Sequence, residues 1–141
     1  MDVNSDRQYL PPLAELVDRL CINHIKEIFL SDDRESFRDE NRKLAHDVDL
    51  ILQEKKICVN ARMLRIIIVL AQMNLHIWHN KDEMMKDSEQ YDSLLKLAHQ
   101  LNGIRNQAKN QLLEEVGDKE KSAVRTNYNT DGLQGWNVSF D

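Results

Sequence analysis

The fold class is decided by residues 60–85, which read NARMLRIIIVLAQMNLHIWHNKDEMM. Apolar residues recur there every three or four positions, which is the period of an amphipathic α-helix. Residues 66–69 also have strand propensity, but the pattern continues for far longer than one strand. We therefore predict a long central helix with Asn60 as its N-cap. Its predicted core residues are Met63, Leu64, Ile67, Leu70, Ala71, Met73, Ile77 and Trp78.

Two helices are predicted on the N-terminal side of this central helix. Pro11 and Pro12 suit the opening turn of a helix that runs to about Leu30, because the N–H that proline lacks is not needed there. Residues 31–33, Ser-Asp-Asp, bring side-chain oxygens and negative charge to the start of a second helix.

A fourth helix is predicted to begin at Asp87 and Ser88 and to stop at Gly117, since glycine favours the left-handed conformation that ends a helix. The predicted fold is thus all-α, a four-helix bundle over residues 1–117. Residues 118–141 are predicted to form a short irregular or extended C-terminal tail. Because Trp136, Val138 and Phe140 alternate along it, we expect the tail to pack on the bundle or on a second subunit.

Composition restricts the class of protein. The chain has 141 residues, 41% of them hydrophobic, which fits one packed domain. With 19 Lys and Arg against 24 Asp and Glu, it lacks the positive excess of nucleic-acid-binding proteins. We expect a cytoplasmic protein with neither nucleic acid nor a membrane as partner, because no apolar run is long enough to cross a bilayer. Cys21 and Cys58 lack the spacing of a zinc site and are predicted to be reduced packing residues.

Polar residues interrupt the apolar faces of the third and fourth helices. Asn74 lies in the middle of an apolar arc, where a buried amide either fixes helix register or lines a ligand pocket. On the fourth helix the apolar arc is continued by a donor face, with His99 at its margin. The donor face consists of Asn102, Arg105, Asn106 and Lys109. Such donors suit phosphate or carboxylate, although the polar end of a surface helix is an alternative interpretation.

A polar stripe on the third helix contains three residues that could together bind a metal ion, namely His76, His79 and Glu83. We treat this metal site as the less favoured interpretation of the stripe. We expect no metal and no cofactor, because a surface or interface stripe more often explains such spacing. An antiparallel hairpin turning near Met85 would put Trp78 opposite about residue 92 and Arg105 opposite about Arg65, so the two histidines and the donor face would lie more than about 10 Å apart along the axis. A single site combining both clusters would then need a different helix arrangement or a second chain, and of these we favour an antiparallel homodimer.

Two segments carry a resemblance to a known family. They are residues 73–79, Met-Asn-Leu-His-Ile-Trp-His, with Asp82-Glu83, and residues 101–106, Leu-Asn-Gly-Ile-Arg-Asn, with Lys109-Asn110. They resemble an uncharacterised bacterial family of helical proteins that carry Trp-His near one helix end and Asn-x-x-Arg-Asn on the next. That family is found near genes for surface-sugar transfer. The resemblance implies functional positions at Trp78, His79, Asn102, Arg105 and Asn106, and it implies no reaction.

The sequence thus leads to one preferred function and two alternatives. We expect a non-catalytic helical protein that self-associates and binds a small anionic ligand. Its predicted ligand-binding residues are Asn74, Trp78, His79, His99, Asn102, Arg105, Asn106 and Lys109. The first alternative is an enzyme acting on a phosphorylated small molecule, either a nucleotide or a sugar phosphate, with His76 or His79 and Arg105 at its centre. The second is a module that binds a partner through the C-terminal tail.

Overall fold

A computed structural model of the chain describes residues 6–117. This part of the chain contains four α-helices and no strand. The helices are α1 (Leu13–Phe29), α2 (Arg34–Glu54), α3 (Ala61–Lys86) and α4 (Tyr91–Glu115), and a 3-10 turn at Ser31–Asp33 precedes α2. The prediction of an all-α fold with four main helices is confirmed for residues 6–117. The predicted tail, residues 118–141, lies outside the described residues.

Contacts within the chain divide it after Val59 into two compact units, Met1–Val59 and Asn60–Asp141. In the first unit α1 packs against α2, and in the second α3 packs against α4. We call the described parts of these units the first and the second hairpin. The prediction that residues 1–117 form one bundle stays a prediction.

A buried carboxylate fixes the start of the first hairpin. Asp47 of α2 is fully buried and accepts hydrogen bonds from the backbone amides of Gln8, at 2.8 Å, and Tyr9, at 2.7 Å. The Nε atom of Arg7 lies 4.0 Å from the same carboxylate. A buried charge requires such partners. The segment before α1 is therefore tied to the middle of α2, about 38 residues away in sequence.

An ion pair joins the two helices of the first hairpin near their connection. The Nε atom of Arg38 on α2 donates to a carboxylate oxygen of Glu27 on α1 at 2.7 Å. This hydrogen bond lowers the pKa of Glu27 from its ordinary value. The pair is partly exposed, so its contribution to stability is small compared with apolar packing.

The two cysteines differ in their surroundings. Cys21 is partly buried on α1, and burial, reinforced by the negative charge of Asp18, raises the pKa of its thiol to about 11. Cys58 is exposed. The prediction that both cysteines pack in the interior is therefore wrong for Cys58, which lies in the short connection before α3 rather than on an apolar helix face.

The start of α3 and the end of α4 follow the predicted signals, whereas the predicted start of α4 at Asp87 and Ser88 is wrong. Asn60 caps α3, and its side-chain oxygen accepts a hydrogen bond from the Met63 amide at 2.9 Å. Asp87 ends α3 and accepts from the Glu89 amide at 3.1 Å, so α4 begins only at Tyr91, after a short turn. Gly117 follows α4 with φ of 73°, the left-handed conformation predicted for it.

The core of the second hairpin is built from regularly spaced apolar residues of both helices. Its buried members are Met63, Ile66, Val69, Leu70, Met73 and Ile77 from α3, and Ala98, Leu101, Ile104, Ala108, Leu112 and Leu113 from α4. α3 is apolar well beyond this core face. Even so, none of the described helices combines the length and the apolar content that crossing a membrane requires.

Candidate functional site

A row of exposed apolar side chains runs along α3. Leu64 is 52% exposed, Ile68 54% and Leu75 40%, and the exposed Ala71 lies between the last two. We call these four residues the apolar row. Their spacing of four, three and four residues places them in one line about 16 Å long. At 3.6 residues per turn, the row lies on the side of α3 opposite its buried residues.

The apolar row corrects the core predicted for α3. Leu64 and Ala71 were expected in the core, and both are exposed, so the prediction is wrong for them. The cause is that apolar residues fill two faces of this helix. Ile66 and Leu70 pack in the core, while Ile68, between them in sequence, faces outward. A helix of this kind does not reveal from its periodicity alone which face the neighbouring helix covers.

The polar stripe lies along one edge of the apolar row. Its residues are Arg65, Gln72, His76, His79 and Glu83, of which only His76 is half-buried. Among residues 6–117 no three His, Cys, Asp or Glu side chains form a group that could hold a metal ion. His76, His79 and Glu83 do not form such a group. They span about 10 Å of helix, whereas metal ligands all lie about 2 Å from the ion.

The donor face of α4 is sheltered, as expected for a functional surface. Lys109 is only 6% exposed, and the other three members are half-buried. The side chain of Asn102 donates to the Ala98 carbonyl of its own helix at 3.0 Å. His99, at the margin of this face, is exposed. The alternative interpretation of these residues as the polar end of a surface helix does not fit their burial.

Asn74 and Arg105 meet across the second hairpin. Asn74 is 4% exposed, and its side-chain oxygen accepts a hydrogen bond from Nη1 of Arg105 at 3.4 Å. Of the two interpretations of Asn74, this contact favours the structural one, in which a buried amide fixes the register of two helices. Trp78, one turn further along α3, is half-buried, and His79 is exposed.

The register of the second hairpin differs from the predicted one. Arg105 was expected level with Arg65, but it reaches Asn74, and the side chain of Asn80 donates to the Leu94 carbonyl at 2.9 Å. The prediction was wrong because the turn lies a few residues later than Met85, and each residue of shift moves the register by two. Asn74 and Arg105 therefore meet within one chain. These two residues need no second chain to bring them together, and the homodimer stays a prediction.

Other polar contacts of the second hairpin were missed in the sequence. Asn80 is 5% exposed and lies on the core face three residues after Ile77, a spacing that could have revealed it. At the opposite end, Arg62 of α3 forms an ion pair with Glu115 of α4. In such contacts a polar side chain on one helix pairs with a group on the other helix. Which groups meet depends on the register of the two helices, and the spacing of residues in the sequence does not reveal that register.

A second missed feature lies on the first hairpin. A cleft of about 330 Å³ is lined by Gln8, Arg42, Lys43 and His46. In sequence, Arg42 and Lys43 belong to a mixed-charge stretch that reads as an ordinary solvated helix face. The cleft exists because Asp47 holds the segment that contains Gln8 against α2.

Comparison of the chain with protein-family models, with curated proteins and with solved structures gave no match in any of the three. The resemblance of the Trp-His and Asn-x-x-Arg-Asn segments to an uncharacterised bacterial family stays a prediction. The function proposed below therefore rests on the contacts and exposures of the described residues.

Proposed function

We propose that this chain is a non-catalytic helical protein that acts through self-association, with the apolar row of α3 as the contact between two copies. The observation that carries this proposal is the exposure of Leu64, Ile68 and Leu75, at 40–54%, in a single line. Isolated exposed apolar residues are common on protein surfaces. A continuous row bordered by polar residues is instead typical of a surface that another protein covers.

The order of residues in the row favours a second copy of the same chain as the partner. A spacing of four, three and four reads the same in both directions, so two rows match when the helices run antiparallel. A two-fold axis between positions 69 and 70 brings Leu64 opposite the partner's Leu75. It also brings Ile68 opposite the partner's Ala71. A large side chain then meets a small one, which allows two helices to approach closely.

The charges beside the row are compatible with this pairing. In the antiparallel register Arg65 approaches the partner's Gln72, a neutral amide, so the contact brings no like charges together. The two-fold axis makes every contact twice, which doubles the apolar area removed from water. The row alone is small for a stable interface, so we expect its flanking residues, such as Ile67 and Trp78, to contribute at the rim.

Binding of a small anion is the second part of the proposal. It is supported by the burial of Lys109 one turn after the half-buried Arg105, which concentrates positive charge in a sheltered place. The hydrogen bonds from Arg105 to Asn74 and from Asn102 to Ala98 use part of this donor face for structure. We therefore rank self-association above anion binding.

The enzymatic alternative stays a prediction. It requires His76 or His79 to act together with Arg105 on a phosphorylated small molecule. The guanidinium of Arg105 donates a hydrogen bond to Asn74, which gives Arg105 a structural role. This favours the non-catalytic proposal, since a charge clamp for phosphate uses both edges of the guanidinium fork.

Cysteine cross-linking tests the antiparallel contact directly. In a chain with Cys21 and Cys58 replaced by serine, we expect mixed Leu64→Cys and Leu75→Cys variants to form a disulfide-linked dimer under mild oxidation. Neither variant alone should do so, because its two copies of the cysteine would lie about 16 Å apart, well beyond disulfide reach. Non-reducing electrophoresis measures the product.

The matched control is a mixture of Leu64→Cys with Met85→Cys. Met85 lies on the same helix and is 89% exposed, but it is ten residues beyond the row. It should give no more product than random collision. Efficient linkage of Leu64→Cys to itself, or no linkage in the first mixture, would contradict the antiparallel contact.

A further inference from the structure

The first hairpin carries a cleft that is lined by Gln8, Arg42, Lys43 and His46. It has a volume of about 330 Å³ and lies between α2 and the segment that precedes α1. Small-molecule sites begin at about 300 Å³, so the cleft suits only a small ligand. Arg42, Lys43 and His46 all reach it from α2. Positions 42 and 46 are one helical turn apart and lie on the same face.

The opposite side of the cleft is fixed before any ligand arrives. Both carboxylate oxygens of Asp47 accept from the Gln8 amide, at 2.8 and 3.0 Å, and one accepts from the Tyr9 amide. Arg19 lies over the Tyr9 ring, 5.7 Å from its centroid. The Nε2 atom of His46 lies 3.2 Å from the Asp6 carbonyl oxygen. A ligand would therefore lose little free energy in ordering this segment.

The cleft is positive although the chain as a whole carries a charge of −5. Arg42 and Lys43 contribute two positive charges to its lining. Lys43 forms an ion pair with Asp39 at 3.4 Å, and both side chains are more than half exposed. Exposed pairs of this kind are weak, so an anion can compete for the ammonium group. The buried Asp47 carboxylate is directed to the Gln8 and Tyr9 amides and to Arg7.

We propose that this cleft binds a phosphate group, either as inorganic phosphate or as the phosphate of a small phosphomonoester. The planar guanidinium of Arg42 suits two phosphate oxygens at once, and the ammonium of Lys43 acts as a point charge beside them. His46 supplies an imidazole one turn away. We favour phosphate over a carboxylate as the ligand because phosphate has more oxygen atoms. It can therefore contact the side chains of Arg42, Lys43 and His46 at the same time.

Nuclear magnetic resonance titration of the full chain tests this proposal. The ¹⁵N-labelled protein is titrated with sodium phosphate, and separately with glucose 6-phosphate, while sodium chloride keeps the ionic strength constant. We expect saturable shifts of the amides of Gln8 and of residues 42–46. The double variant Arg42→Gln/Lys43→Gln should weaken binding at least about tenfold, because it removes two charge-assisted contacts from an exposed surface.

The matched control is Lys55→Gln/Lys56→Gln, which removes the same charge from exposed positions at the end of α2. It should leave the affinity unchanged. Equal affinities for the two ligands would identify the phosphate group alone as the ligand. Tighter binding of glucose 6-phosphate than of phosphate would show that the sugar also contacts the cleft. An equal loss in the control, no saturable shift, or shifts confined to residues 105–109 of α4 would each overturn the proposal.

Discussion

Replacing Asp47 by alanine is expected to lower the free energy of unfolding by about 3 kcal/mol. The side chain is fully buried and accepts hydrogen bonds from the amides of Gln8 and Tyr9. Without it, these amides lose their acceptor, Arg7 loses its carboxylate, and a cavity is left beside α2. Urea denaturation followed by circular dichroism measures the change.

The control for this experiment is Asp49→Ala, which removes an exposed carboxylate two residues away on the same helix. Surface substitutions of this kind change stability by about 0.5 kcal/mol or less. Asp47→Asn keeps one acceptor oxygen and should lie between the two. If Asp47→Ala and Asp49→Ala proved equally stable, Asp47 would not hold the N-terminal segment in place.

Replacing Ile68 by aspartate is expected to weaken self-association at least about a hundredfold. Ile68 lies next to the proposed two-fold axis, so the substitution buries two unpaired carboxylates close to one another in each dimer. The single chain should keep its stability within about 0.5 kcal/mol, because Ile68 is 54% exposed in it. Sedimentation velocity measures the association, and urea denaturation of dilute protein measures the stability.

Met85→Asp is the matched control for the Ile68 variant. It introduces the same charge on α3 at a residue that is 89% exposed and lies outside the apolar row. Association of this variant should equal that of the unmodified chain. If the Ile68→Asp and unmodified chains associated equally, the apolar row would not be the contact between copies.

The helices were predictable because their signals are local. Pro12, Asn60 and Gly117 lie at helix ends where their backbone chemistry is favoured, and each was recognised from the residue type and its position. The apolar period between these ends predicted α1 and α3 to within a residue or two of the observed bounds. Such signals depend on neighbours in the sequence and on no distant contact.

The faces and the register of the helices were not predictable in the same way. Between Ile66 and Leu70 every residue is apolar, so periodicity does not choose between two faces of α3. The meeting of Asn74 with Arg105 depends on where the turn between α3 and α4 is centred. A shift of that centre by three residues changes the register by six, which exceeds one helical turn.

The candidate site was predicted in part. Shelter of the donor face was expected from its position on an apolar arc, and Lys109 and Arg105 are indeed buried and half-buried. The apolar row and the basic cleft were missed because both are defined by what remains uncovered in three dimensions. Asp47 falls three residues after the buried Leu44, a helical spacing that marks it as inward-facing. Its partners, the amides of Gln8 and Tyr9, are too distant in sequence for any spacing rule.

The most direct measurement is the molecular mass of the unmodified chain in solution, determined by sedimentation equilibrium over a wide range of concentrations. With the apolar row as the contact between two copies, the mass rises to twice that of one chain as the concentration increases. A mass equal to one chain at every concentration would contradict self-association through this face.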